Sequence, residues 1–371
     1  MNGDKNSKNM KIFLPNNHSK WKIDYKLVSP DNNENLKKVF LENFSNIADS
    51  VISIEQVAET EVNSNNFKLG TSKGKKKSFF LLRRYPETRN IDSIKGAHEV
   101  LNFLNKSGLK TPEIILSDSG EEIVHTTPYH YTVFKFLKSN HFKGSLDEIK
   151  SAAREFGKMD ALLEKLPDAT KIKKMLEFPP KVLKLREFST EIWENIFKEA
   201  GKHLEETNDE FDSKLLSFKD FILDAVKKTE SLKDEAKTLD KQIIHFDLHP
   251  HNLLTDGKKL VAILDFDSLR NFPKMHGIAF AMHRLVRQYI VFAKPKNIKK
   301  AVEKAKEIFL NVYQKENPLT ELEIKLIPFF LKTEALSRLS YAMKDFYFNG
   351  NAAWKGDLDK QTAAIAEAEH F

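Results

Sequence analysis

Polar turns separate short runs rich in β-branched and aromatic residues through the first third of the chain. Residues 51–58, 67–71, 78–85 and 129–137 have the length and composition of strands, and 63–66 and 72–76 read as turns between the first three. One helix interrupts them. Ile94, Ala97, Leu101 and Leu104 recur at helical spacing before a stop at Gly108 and Pro112. This order predicts an antiparallel sheet with one helix packed against it.

From about residue 145 the period lengthens to that of helices. Leu146, Ile149, Ala153, Phe156, Met159 and Leu163 share one stripe, and similar stripes run through 181–235, 297–315 and 320–348. One β-like island interrupts this half, formed by 242–246 and 260–266 with an Asp256-Gly257 turn between them. The expected class is α+β, with a polar leader (1–35) that carries no chemistry, a strand-rich unit (36–138) and a mainly helical unit (139–371). No internal repeat is visible.

Composition narrows the functional classes. The chain of 371 residues is 40% hydrophobic and 30% charged, as expected of a packed fold. It has no cysteine, which excludes disulfides, zinc-thiolate sites and thiol nucleophiles and fits a reducing, cytoplasmic setting. No apolar run approaches the roughly 18 residues of a membrane span, and the first residues lack the apolar stretch of a signal peptide. The net charge of +7 is a small excess of 60 basic over 53 acidic residues. Its lysines are scattered, apart from a cluster between Lys73 and Lys77, so a solvated surface explains the charge better than a nucleic-acid footprint.

The island holds the candidate chemistry. An apolar strand runs into His245-Phe246-Asp247-Leu248-His249-Pro250-His251-Asn252, and a second apolar strand delivers Asp265-Phe266-Asp267. Phosphoryl transfer needs a carboxylate to orient the attacking hydroxyl and hard oxygen ligands for the Mg²⁺ that bridges the phosphates of ATP. Asp247, Asn252 and Asp265 supply these groups. A His-x-Asp-x4-Asn string is short, and its weight comes from the flanking strands, the second Asp and the strand-rich half upstream. His249 and His251 read as loop-packing residues rather than a metal site, since no cysteine or carboxylate triad accompanies them.

On these motifs, over roughly residues 50–350, the chain resembles the aminoglycoside/choline phosphotransferase superfamily, whose catalytic loops commonly read like His-Gly-Asp-Leu-His-Pro-Gly-Asn. Phe246 and His251 stand where glycines are usual. The resemblance implies a protein-kinase-like bilobal fold and transfer of the γ-phosphate of ATP to a hydroxyl of a small molecule such as an amino alcohol, a hydroxy amino acid or a sugar. Asp247 would be the base or hydroxyl-orienting group, His245 would brace the loop, and Asn252 and Asp265 would bind Mg²⁺. Asp267 would assist the metal or cap the following turn.

The resemblance also implies a nucleotide side. A polar hairpin tip at 61–66, with Ser64 and Asn65, stands where phosphates are covered, although an ordinary turn reads equally there. Arg83 is favoured over Arg84 as the phosphate cation, Glu99 as its helix carboxylate, and the stretch through Phe136 as the adenine hinge. The family's Asp-Leu-Ala-like segment is replaced by Gly277-Ile278-Ala279 after Pro273, so its bracing Asp is missing, and His276 stands next door. Arg284 and Arg287, three apart on a helix, offer an anion site for the acceptor. Two other readings remain, a protein Ser/Thr kinase of the same superfamily and a non-catalytic protein that keeps the fold.

Overall fold

The computed structural model describes residues 25–27, 30–57, 65–351 and 355–371. Strand β1 (Tyr25–Leu27) and helix α1 (Pro30–Asn43) precede β2 (Ser50–Val57), β3 (Asn65–Lys73) and β4 (Lys76–Pro86). Helix α2 (Ile91–Lys106) leads to β5 (Ile114–Ile115), β6 (Val124–Thr126) and β7 (Tyr129–Lys135). The strands form an antiparallel sheet in the order β1-β2-β3-β4-β7-β5, with β6 also on β7. The end of the expected leader therefore belongs to the fold: Tyr25–Leu27 pairs with β2, and α1 begins at Pro30. The amphipathic signal lies in Leu36, Val39 and Phe40 of α1 and Phe44 just beyond its end, all buried in one cluster with Phe67, Leu69, Leu82 and Val133 of the sheet. Burying four such side chains contributes roughly 6–12 kcal/mol before ordering costs are counted.

After the linker 136–139, β8 (Asn140–His141) leads to α3 (Leu146–Leu163), opened by a capping box in which Ser145 and Glu148 satisfy each other's backbone amides. Helices α4 (Ala169–Met175), α5 (Pro180–Arg186), α6 (Thr190–Thr207), α7 (Glu210–Ser217), α8 (Lys219–Glu230) and α9 (Lys233–Lys237) follow. The island contains β9 (Lys241–His245), β10 (Leu253–Asp256), β11 (Lys259–Ile263) and β12 (Leu269–Pro273). It is not one hairpin: β10 pairs with β11 and β8, while β9 pairs with β12. Each small ladder thus carries one end of the segment 246–252. Helices α10 (Lys274–Ala293), α11 (Ile298–Tyr313), α12 (Glu321–Lys325), α13 (Ile327–Asn349) and α14 (Asp357–Glu367) complete the chain. Among the described residues no helix is long and apolar enough to cross a membrane.

Helices α6 and α8 pack away from the cavity, against the end of the chain. Trp193, Ile196, Phe197, Ile222 and Val226 of α6 and α8 build a second core with Leu336, Leu339 and Met343 of α13 and Ile365 of α14. That core fixes α13 along its length, and α13 carries side chains to the catalytic loop.

Candidate active site

The catalytic loop is held by hydrogen bonds that follow from its sequence. His245 ends β9 fully buried; its Nε2 donates to the Leu264 carbonyl at 2.8 Å, and its Nδ1 lies 3.2 Å from Ser268 Oγ. Burial holds this imidazole below its ordinary pKa, so it acts as a neutral brace. Asn252 donates from Nδ2 to the Asp247 carbonyl at 2.9 Å, and its own carbonyl accepts from Leu264 N at 2.8 Å. Asp247, Asn252 and Asp265 are thereby tied into one unit. With Nδ2 committed, Oδ1 is the atom Asn252 has left for a ligand. Asp265 adopts a left-handed backbone (φ 62°), which turns the chain sharply after β11.

Asp247 sits among cations. Arg338 Nη2 of α13 donates to its Oδ1 at 3.1 Å, and His249 Nε2 lies 3.5 Å from its Oδ2. Burial pushes the carboxyl pKa up, but His249, Arg338 and Arg284 outweigh it and hold the group well below the usual carboxylate range. Burial lowers His249 itself to about 4, so at neutral pH the cations beside Asp247 are the two arginines. Arg338 also pairs with Glu334, one turn earlier on α13, and Arg186 of α5 completes that pair. Glu334 is drawn down to about 2: burial opposes ionisation, and Arg186, Arg338 and His276 overcome it.

The two departures from the glycine pattern have a packing cause. Phe246 stacks on His276 (4.3 Å between centroids, 15° between planes) and meets Phe178 and Phe272 edge-on at 5.0 and 5.4 Å. His251 meets His141 and His249 in edge contacts. Each side chain fills space between the loop and its neighbours. His276, buried and 3.3 Å from Glu334, lies against the loop through Phe246.

Between sheet and loop lies a cavity of about 440 Å³, within the range of small-molecule sites. Leu81, Ala97, Leu101, Phe134, Leu254 and Phe266 give it apolar walls, and Phe136 with 137–139 forms one edge. Arg83 reaches it because β4 alternates: Phe80 and Leu82 point into the core, Leu81 and Arg83 into the cavity. Arg84 on the opposite face lies over the Phe67 and Tyr129 rings at 5.2 and 4.5 Å. Arg83 Nη2 is 2.7 Å from Asp265 Oδ1 and Nη1 is 3.1 Å from Asp267 Oδ2, while Tyr85 donates to Asp267 Oδ1 at 3.1 Å. Burial opposes charge on Arg83, but Asp267 and Asp265 raise its pKa well above the ordinary value. Arg83 depresses the Asp265 carboxyl in turn, against the upward push of burial.

Not every expected nucleotide residue gathers here. Glu99 faces outward, its Oε1 3.0 Å from Lys171 Nζ in a half-exposed pair, so the carboxylates that meet Arg83 are Asp265 and Asp267. Helix α2 reaches the cavity instead through His98, whose Nδ1 is 3.1 Å from Glu122. Lys68 of β3 also lines the cavity, 5.5 Å above the rings of Phe79 and Phe136, and no sequence motif marks it. Asn65 opens β3 opposite Arg84, while Ser64 lies outside the described residues.

A sheet-bearing lobe, a helical lobe and a cleft lined by Asn252 and Asp265, with Asp247 tied to them through the Asn252 hydrogen bond, define a phosphotransferase of the kinase-like class. The chain belongs to the phosphotransferase enzyme family (APH), whose model matches residues 54–288. Solved structures share the fold at low identity. The amicoumacin kinase hAmiN, in complex with AMP-PNP, Ca²⁺ and Ami, superposes with a TM-score of 0.66 at 14% identity, covering 91% of this chain and 94% of its own. Spectinomycin phosphotransferase APH(9)-Ia, in complex with ADP and spectinomycin, gives 0.60 at 12%, covering 91% and 98%. A choline kinase from Cryptosporidium parvum Iowa II gives 0.52 at 13%, covering 91% and 95%. No curated protein matches the chain.

Proposed function

We propose that the protein transfers the γ-phosphate of ATP to a hydroxyl of a small molecule, with Asp247 addressing that hydroxyl. The observation that carries this reading is one hydrogen-bonded unit of Asp247, Asn252 and Asp265, of which Asn252 and Asp265 line the cavity that Arg83 reaches. The apolar walls and the 136–139 edge suit an adenine, and similar structures hold AMP-PNP or ADP. Asn252 Oδ1 and the Asp265 carboxylate are hard oxygen donors suited to Mg²⁺, and Asp267, engaged by Arg83 and Tyr85, stands behind them. Bound Mg²⁺ would neutralise charge on the phosphates.

The acceptor oxygen attacks the γ-phosphorus as the bond to the leaving ADP oxygen breaks, and the hydroxyl proton passes to a carboxylate oxygen of Asp247 or to the transferred phosphoryl group. A carboxylate held as strongly ionised as Asp247 is a weak base. Its main contribution is therefore to fix the hydroxyl in line, with the proton leaving late. His245 and Asn252 act by holding the loop that carries it.

The test is ADP formation by the purified protein with MgATP against a panel of hydroxyl compounds, beside Asp247→Asn. Turnover lost in the variant, with nucleotide binding retained, is the expected result. Turnover equal in both would remove Asp247 from its role, and absence of nucleotide binding would refute the proposal.

A further inference from the structure

Around Asp247 the helical lobe carries more positive charge than it pairs. Arg338 is divided between Asp247 and Glu334, Arg186 takes the rest of Glu334, and Arg287 shares Glu367 with His283. Arg284 is left over. Its guanidinium lies 4.9 Å from the centroid of the Phe280 ring, and that of Arg338 lies 5.1 Å from the same ring. Among the described residues no carboxylate comes within 4.0 Å of Arg284. Lys360 of α14 joins the group; its nearest carboxylate, Asp357, is at 3.9 Å, the outer limit of an ion pair.

Both cations feel the crowding. Burial and the like charges of Arg338 and Arg287 lower Arg284 to about 10, against the pull of Asp247 and Glu367. Lys360 is lowered by burial and by Arg284. A half-buried guanidinium with like-charged neighbours and no counter-ion is an unfavourable arrangement that a bound anion relieves, and its planar fork suits a carboxylate or phosphate. A cationic acceptor would need the reverse, uncompensated carboxylates beside Asp247. Glu334, Glu367 and Asp247 itself are all met by arginines.

We infer that Arg284 and Lys360 form an anion subsite, so that the hydroxyl acceptor bears a carboxylate or phosphate group. The inference rests on the phosphotransfer reading for the role of Asp247, but the subsite can be tested apart from turnover. The first readout is the melting temperature of the full chain, with ADP filling the nucleotide cleft, titrated with glycerate or with 2-amino-1,3-propanediol. Glycerate should raise the midpoint in the wild type, and Arg284→Gln should weaken its apparent affinity on the order of ten- to a hundredfold, with Arg284→Lys recovering part of the loss. The second readout is ADP formation from MgATP with 3-hydroxypropanoate, glycerate and glycerol phosphate against 3-aminopropanol and 2-amino-1,3-propanediol. Preference for the anions, with KM rising more than kcat falls in Arg284→Gln, is the expected pattern.

No midpoint rise with glycerate, an equal rise in Arg284→Gln, or turnover confined to the amino alcohols overturns the anion subsite and leaves the phosphotransfer reading standing. An Arg284-dependent rise without ADP formation from any acceptor upholds the subsite and counts against phosphotransfer by this chain.

Discussion

The two sides of the catalytic loop balance their charge differently. On the nucleotide side Arg83 meets Asp265 and Asp267 directly, and the remaining wall is largely apolar. On the acceptor side Arg338 and Arg186 neutralise Asp247 and Glu334, and Arg284 and Lys360 stand in excess. The cavity side therefore keeps its arginine paired with carboxylates between largely apolar walls that suit a flat ring, whereas the Asp247 side carries arginine and lysine beyond what its carboxylates pair. On the proposed reading Asp247, Asn252 and Asp265 lie at the boundary, and the charge carried by α10, α13 and α14 bears on which acceptor is admitted.

The largest effect should fall at the boundary itself. Asp247→Asn keeps the shape of the side chain and removes its charge, and should lower kcat on the order of 10²–10⁴-fold, read by ADP formation at saturating MgATP and acceptor. If both sides depend on this carboxylate equally, KM for ATP will change as well; the comparison predicts that it stays within a fewfold. Next comes the network behind it. Glu334→Gln leaves Arg186 and Arg338 facing a neutral amide in a buried site, and should destabilise the fold by roughly 3 kcal/mol, measured as a shift in the denaturation midpoint at constant slope. A shift below about 0.5 kcal/mol would mean that these pairs behave as solvated surface contacts.

How much of this was legible in the sequence depended on whether a residue acts through a local pattern or through the path of a distant helix. The sheet, α2, the helical half and the Asp247-Asn252-Asp265 constellation follow from alternation, helical period and spacing inside one segment. Arg83 was also readable, because alternation along β4 places it with Leu81. The arginine network behind Asp247 was not: Arg338 lies 91 residues from Asp247, Arg186 reaches Glu334 from α5, and nothing local in either marks these pairings. Phe246 and His251 registered only as departures from a glycine pattern, and the structure supplies their packing partners Phe178, Phe272, His276 and His141. The island was read as a single unit because its strands are adjacent in sequence. β9 in fact pairs with β12, beyond the second Asp, which no two-strand pattern could specify.

Acid should weaken the acceptor side in a defined window. Burial lowers His276 from the ordinary value of 6.5 to about 4. Its folded pKa lies below its unfolded one, so the unfolded chain takes up the proton first. The stability it contributes is complete above pH 6.5 and is lost as pH falls towards 4, by at most about 3 kcal/mol. His141 and His249 are lowered to about 4 as well and act in the same direction, whereas Asp160, raised to about 7 by burial, acts oppositely. His276→Phe keeps a ring against Phe246 and removes this titration together with the contact to Glu334. Denaturation midpoints at pH 7 and 4.5 should therefore differ less in the variant than in the wild type.

The smallest effect tests the residue that the resemblance brought to the nucleotide side and the structure turns away from it. At about 100° per residue, Ile94, Ala97, Leu101 and Leu104 define the buried face of α2 and put Glu99 roughly opposite it. The helical phase contained this information. Glu99→Gln should leave KM for ATP within about twofold and stability within about 0.5 kcal/mol, since a half-exposed pair with Lys171 contributes little. Arg83→Met, by contrast, should weaken MgATP binding by at least about tenfold, because it leaves Asp265 and Asp267 without their cation and removes a positive charge from the cleft. Isothermal titration with a non-hydrolysable ATP analogue compares the two variants directly. A loss in Glu99→Gln approaching that in Arg83→Met would mean that α2 rotates to bring its carboxylate to Arg83 when nucleotide binds, and that Arg83 is held by α2 as well as by Asp265 and Asp267.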